Sequence, residues 1–72
     1  MKIPQISGKE LIKRFMKLGF VVTRQKGSHM RLEKNIPEKT IKITIPNYPL
    51  LKKGTLHNII KSAGLTLEEV FN

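Results

Sequence analysis

The residues of this chain that could do chemistry stand together in Arg24-Gln25-Lys26-Gly27-Ser28-His29, with Arg31 just beyond. Histidine is the side chain that accepts and donates protons near neutral pH. A glycine two positions before it supplies a turn and lets the backbone approach a phosphate closely. RNA carries its own nucleophile, the 2′-hydroxyl, so cutting it needs only a base, an acid for the leaving oxygen and cations for the phosphorane charge. His29 could serve as base and acid in turn, with Arg24, Lys26, Arg31 and the pair Lys52-Lys53 supplying positive charge. Lys52 and Lys53 also precede a predicted helix, whose first amides favour anions. By spacing alone, the commoner reading of such a histidine is an exposed strand residue without a role. His57 falls off the apolar stripe of the second helix and reads as a solvated surface residue. Two histidines, no Cys, no Asp and scattered Glu make no metal-ligand cluster. No cofactor is implied either.

The charge balance points the same way. The chain has 72 residues and a formal charge of +9, from fourteen Lys and Arg against five Glu. Glu68 and Glu69 lie at the C-terminal end, so residues 1–65 set fourteen positive charges against three negative, a net +11. Such a field attracts nucleic acid, an anionic membrane surface or an acidic protein. No long amphipathic basic helix is present, which weighs against the membrane. Without cysteine there are no disulfides, as suits a reducing compartment. The start Met1-Lys2-Ile3-Pro4-Gln5 is not followed by the apolar run of a signal peptide, and no segment approaches a membrane span. The expectation is a cytoplasmic protein of one domain over 1–72, with its core in about 7–65 and a short helical tail over 66–72. A chain this short buries only about 60% of the surface its unfolded form exposes.

The elements that must position His29 are signalled locally. Ser7 as N-cap and Glu10 three residues later form a capping box, with Ile6 and Leu11 as a hydrophobic staple. Leu11, Ile12, Phe15 and Leu18 follow helical spacing. Lys9, Lys13, Arg14 and Lys17 point mostly away and are open to phosphate contact, and Gly19 stops the helix. Strands are predicted over 20–25, 28–33 and 40–45, with a hairpin turn at Lys26-Gly27, a loop over 34–39 and Pro46 ending the last strand. In the second strand Met30 and Leu32 share one face, and His29 and Arg31 the other. In the third, Ile41, Ile43 and Ile45 alternate with Thr40, Lys42 and Thr44. After a loop over 46–53, a second helix over 54–63 carries the stripe Leu56, Ile59, Ile60 and Ala63 and is capped by Gly64. A second capping box, Thr66 to Glu69, opens a terminal turn that returns Val70 and Phe71 to the core. These elements make an α+β domain of order α-β-β-β-α. Its three-stranded antiparallel sheet carries both helices on one face. The other face, with Arg24, His29, Arg31 and Lys42, is left open to a partner.

Taken in order, Ser7-Gly8-Lys9-Glu10-Leu11-Ile12, Leu18-Gly19-Phe20, Arg24-Gln25-Lys26-Gly27-Ser28-His29, Leu51-Lys52-Lys53-Gly54-Thr55-Leu56 and Ile60-Lys61-Ser62-Ala63-Gly64-Leu65 resemble the HicA mRNA interferase toxins. The likeness runs in register from about residue 7 to 71. It implies a double-stranded-RNA-binding-like fold, ribosome-independent mRNA cleavage, and neutralisation by a HicB-type antitoxin that covers the active site. The family's catalytic histidine maps onto His29, with Gly27 and Ser28 completing its motif. Many members carry a further histidine after the third strand, where this chain has Pro46-Asn47-Tyr48. Tyr48 could stack on a base or pack within a loop beside two prolines.

Three functions are thus open to the sequence. The leading one is a metal-independent endoribonuclease toxin in which His29 activates the 2′-hydroxyl and a 2′,3′-cyclic phosphate is left. The second is a non-catalytic module that binds double-stranded or structured RNA. The third is an adaptor whose basic face docks an acidic protein.

Overall fold

The computed structural model describes residues 4–71 of the chain. Met1, Lys2 and Ile3, the first part of the start read for a signal peptide, and Asn72 lie outside the described residues. The first helix, α1 (Gly8–Lys17), begins where its capping signal predicts: the Glu10 amide donates to Ser7 Oγ at 3.1 Å. Such an N-cap contributes about 1 kcal/mol. Leu11, Ile12 and Phe15 are buried, and Leu18 packs partly against them. At the end of α1 the Phe20 amide reaches back to the Phe15 carbonyl and the Gly19 amide to that of Met16. This pair of bonds is a Schellman motif around the predicted glycine stop. It also turns Phe20 under the helix, where its ring meets that of Phe15 at 5.1 Å between centroids.

Three strands follow in a meander: β1 (Val21–Lys26), β2 (His29–Asn35) and β3 (Thr40–Pro46), paired antiparallel in the order β1-β2-β3. The hairpin turn has the two-residue length the sequence predicts but lies one residue later. Lys26 pairs directly with His29, so Gly27 and Ser28 alone make the loop. Gly27 has φ +59°, and among the described residues no non-glycine has positive φ, the sign pattern of a two-residue type II′ turn with glycine in its first central position. The second strand runs two residues past its predicted end, because Lys34 and Asn35 continue the pairing with Ile41 and Thr40. The connecting loop shrinks accordingly.

The loop after β3 leads into α2 (Lys53–Ser62), which ends in a second Schellman motif at Gly64, and then α3 (Leu67–Phe71). The Thr66–Glu69 capping box is reciprocal: the Thr66 amide donates to Glu69 Oε1 at 2.9 Å, and the Glu69 amide to Thr66 Oγ1 at 3.2 Å. The predicted order α-β-β-β-α is therefore the observed one, an α+β fold of the double-stranded-RNA-binding type. Leu32, Ile43 and Ile45 form one buried cluster with Leu11 and Phe15 of α1 and Leu56 and Ile60 of α2, so both helices cover the same sheet face. Val70 of α3 joins it, as its capping box implies.

Arg14 departs from the solvated basic face expected of α1. It is half-buried, donates from Nη1 to the Val70 carbonyl at 3.3 Å, and lies over the Phe71 ring at 5.2 Å. Its charge stitches the terminal helix to α1 rather than facing solvent.

Candidate nucleic-acid interface

The geometry around His29 is set by one irregularity in β1. Val22 pairs with Leu32, which faces the core, so strict alternation would send Arg24 and Lys26 to the core side as well. Instead the register shifts between Val22 and Arg24, leaving Thr23 as an extra residue; Arg24 then pairs with Arg31, and Lys26 with His29. Directly opposed residues of antiparallel strands share a face, so the bulge carries both cations onto the open side. Bulges commonly re-aim side chains near functional sites. This one is held by the Thr23 hydroxyl, which donates to Glu33 Oε2 at 3.1 Å.

The result is a depression of about 230 Å³ lined by Arg24, Lys26, His29, Arg31 and Thr44. No carboxylate lines it, and among the described residues the one ion pair is Glu10–Arg14. Opposed like charges such as Arg24 and Arg31 weaken a sheet, a cost that an anion in the depression would offset. The imidazole of His29 is exposed, and among the described residues no protein group hydrogen-bonds to it. The Tyr48 ring stands edge-on to it, with centroids 6.3 Å apart and planes at 70°.

The loop that carries Tyr48 is clamped from two sides. The Asn47 amide donates to the Ser28 carbonyl at 2.6 Å, and the Tyr48 carbonyl accepts from the Gly8 amide at 2.9 Å. Gly8 is buried in the first turn of α1, and a Cβ there would run into the carbonyl oxygen of Pro46. Close approach explains a glycine in a helical turn where it costs about 1 kcal/mol relative to alanine. In the sequence Gly8 stands out only as a poor helix former. That unfavourable choice inside a well-signalled helix was the available clue.

The other candidates are placed as follows. Gly27 and Ser28 form the turn that starts β2 at His29, and Gly27 is required by its φ rather than by crowding, since nothing lies within 4 Å of its Cβ position. Lys42 shares with His29 a second depression, between β3 and α2. Lys52 and Lys53 are exposed at the start of α2, where Lys52 is the N-cap, but they line neither depression that contains His29. His57 is exposed on another flank of α2, beside Leu65 and Leu67. Among the described residues, no group of three or more His, Cys, Asp or Glu is placed to hold a metal, and no helix is long and apolar enough to cross a membrane.

No curated protein matches the sequence. A family model described as the HicA toxin of bacterial toxin–antitoxin systems matches residues 8–65. A toxin of such a system has an antitoxin as its partner. The matched residues run from the first turn of α1 through the bulged hairpin and β3 to the glycine turn after α2, and the chain belongs to the HicA toxin family.

Proposed function

We propose that this toxin is an mRNA interferase, a metal-independent endoribonuclease that acts in the cytoplasm and uses His29 as general base and then general acid. The observation that carries the reading is the bulged hairpin: three cations surround an exposed imidazole in a depression free of carboxylates. The phosphate of a bound RNA strand meets Arg24, Lys26 and Arg31. His29 takes the proton of the adjacent 2′-hydroxyl, whose oxygen bonds to phosphorus. The bond from phosphorus to the 5′-oxygen breaks, and that oxygen receives the proton. The products are a 2′,3′-cyclic phosphate and a 5′-hydroxyl.

The proton transfers are worth about 10²–10⁴-fold, and cations fixed beside the phosphorane contribute on a comparable scale. Gly27 and Ser28 hold the turn from which His29 projects. Lys52 and Lys53 meet phosphates farther along the strand, where each contact strengthens binding in a salt-dependent way. A HicB-type antitoxin silences the enzyme by covering His29, and acidic residues on it would speed its encounter with this face.

Purified protein incubated with mRNA in EDTA should produce fragments ending in 2′,3′-cyclic phosphate. His29→Ala should reduce the rate by about 10²–10⁴-fold with an unchanged melting curve. RNA binding without scission, indifferent to His29→Ala, would instead identify a non-catalytic RNA-binding module.

A further inference from the structure

The second depression containing His29 differs in chemistry from the first. It is a cleft of about 440 Å³ along β3, the edge strand beside α2. That volume lies within the range of about 300–1,000 Å³ typical of small-ligand pockets. Lys42 and His29 line it, Ile43 and Ile59 form its floor, and Thr44, Thr55, Asn58 and Ser62 its walls. The last three recur on α2 at i, i+3 and i+7, one stripe of the helix. All four polar side chains are exposed and uncharged. Among the described residues none of them hydrogen-bonds to another protein group. The basic residues of α2, Lys53 and Lys61, lie off this stripe.

His29 and Thr44 belong to both depressions. Along the outward face of β3, Pro46, Thr44 and Lys42 stand opposite His29, Arg31 and Glu33. Alternate strand residues are about 6.8 Å apart. His29 therefore stands where a trough of three cations suited to phosphate meets a cleft with a single lysine, suited to something flat and rich in hydrogen-bonding edges. An unpaired nucleobase has that character: proteins read single-stranded RNA by laying splayed bases on apolar or aromatic surfaces and bonding their edges.

We infer that the β3–α2 cleft is the subsite for one nucleobase next to the scissile phosphate, and that Asn58, with Thr55 and Ser62, selects which base is cut beside. Asn58 is the key member because its amide both donates and accepts, which lets it pair with a base edge in bidentate fashion. The inference rests on the ribonuclease reading and extends it to the choice of cleavage site.

Titration of the isotope-labelled protein with each of the four nucleoside 3′-monophosphates, followed by NMR, tests binding apart from cleavage. One base should bind about tenfold more tightly than the others, in keeping with a single bidentate contact. The preferred nucleotide should move signals at Thr55, Asn58 and Ser62, whereas inorganic phosphate should move only those of the cationic depression. Asn58→Ala, and the near-isosteric Thr55→Val as a second variant, should erase the difference between bases. Mapping of cut sites in a randomised RNA should show a base preference beside the cut that both variants flatten. Nucleotides that perturb only what phosphate perturbs, a wild-type cut profile without preference, or variants with an unaltered profile would each overturn the inference. Cleavage that survives His29→Ala would overturn the ribonuclease assignment of His29 instead, and the titration would read the cleft independently of it.

Discussion

β1 and β3 flank the same central strand, yet they contribute in opposite ways. β3 sends Ile43 and Ile45 into the core and leaves Thr44 and Lys42 outside, the alternation of a half-buried strand. Every residue of β1 is exposed, and Val21 and Val22 retain 58% and 37% of their accessible surface. What holds β1 is its ladder to β2, the glycine turn at one end and Phe20 under α1 at the other. β3 is thus the strand on which stability depends. β1 is a presentation strand, and its bulge and cations serve the open face.

If that division is right, the two edges should respond very differently to substitution. Ile45 is fully buried, and Ile45→Ala should cost about 2–5 kcal/mol, enough to leave a domain of this size largely unfolded. Denaturant titration measures it, and a loss below about 1 kcal/mol would break the comparison. The double substitution Arg24→Ala with Lys26→Ala should come next. It removes both cations that β1 carries onto the open face, so RNA affinity should fall about tenfold or more as two phosphate contacts are lost. Circular dichroism should still report a folded chain, and binding at wild-type strength would show that β1 does not present the site. A smaller effect is expected from Arg24→Ala, which should lower the slope of log affinity against log salt by about 0.7, the share of one contact to a single strand. Smallest of all, Val21→Thr should change stability by no more than about 0.5 kcal/mol; a larger loss in thermal unfolding would mean that β1 supports the core after all.

The parts of the fold legible in the sequence are those decided by residues close in the chain. The two capping boxes, the stops at Gly19 and Gly64, and the alternation from Thr40 to Ile45 all rest on contacts within a turn or on one strand's periodicity, and each is found where expected. His29 and Arg31 on one face of β2 follow from the same period of two. Less legible was whatever joins distant segments. Arg14 reads as one more lysine-like surface charge until α3, 56 residues later, supplies the Val70 carbonyl. Gly8 reads as a poor helix former until the exit of β3 arrives against it. Thr55, Asn58 and Ser62 carry no signal at all before β3 is laid beside α2.

The candidate site shows the same division in miniature. By itself the sequence determined that a histidine would begin a strand after a glycine turn, on a chain with a large excess of positive charge and helices on one side of the sheet. Local propensity and hydrophobic period are enough for that, since they are properties of neighbouring residues. Arg24 was expected on the face of His29, but only the tertiary structure decided how it and Lys26 come to lie there. The alternation from Val22 points them the other way, and the one-residue slip at Thr23 is fixed by pairing with β2 and by a hydroxyl bond to Glu33. It likewise decided that His29 would sit between a strongly charged trough and a cleft with a single lysine, because the cleft exists only where the edge of a sheet meets a helix packed beside it.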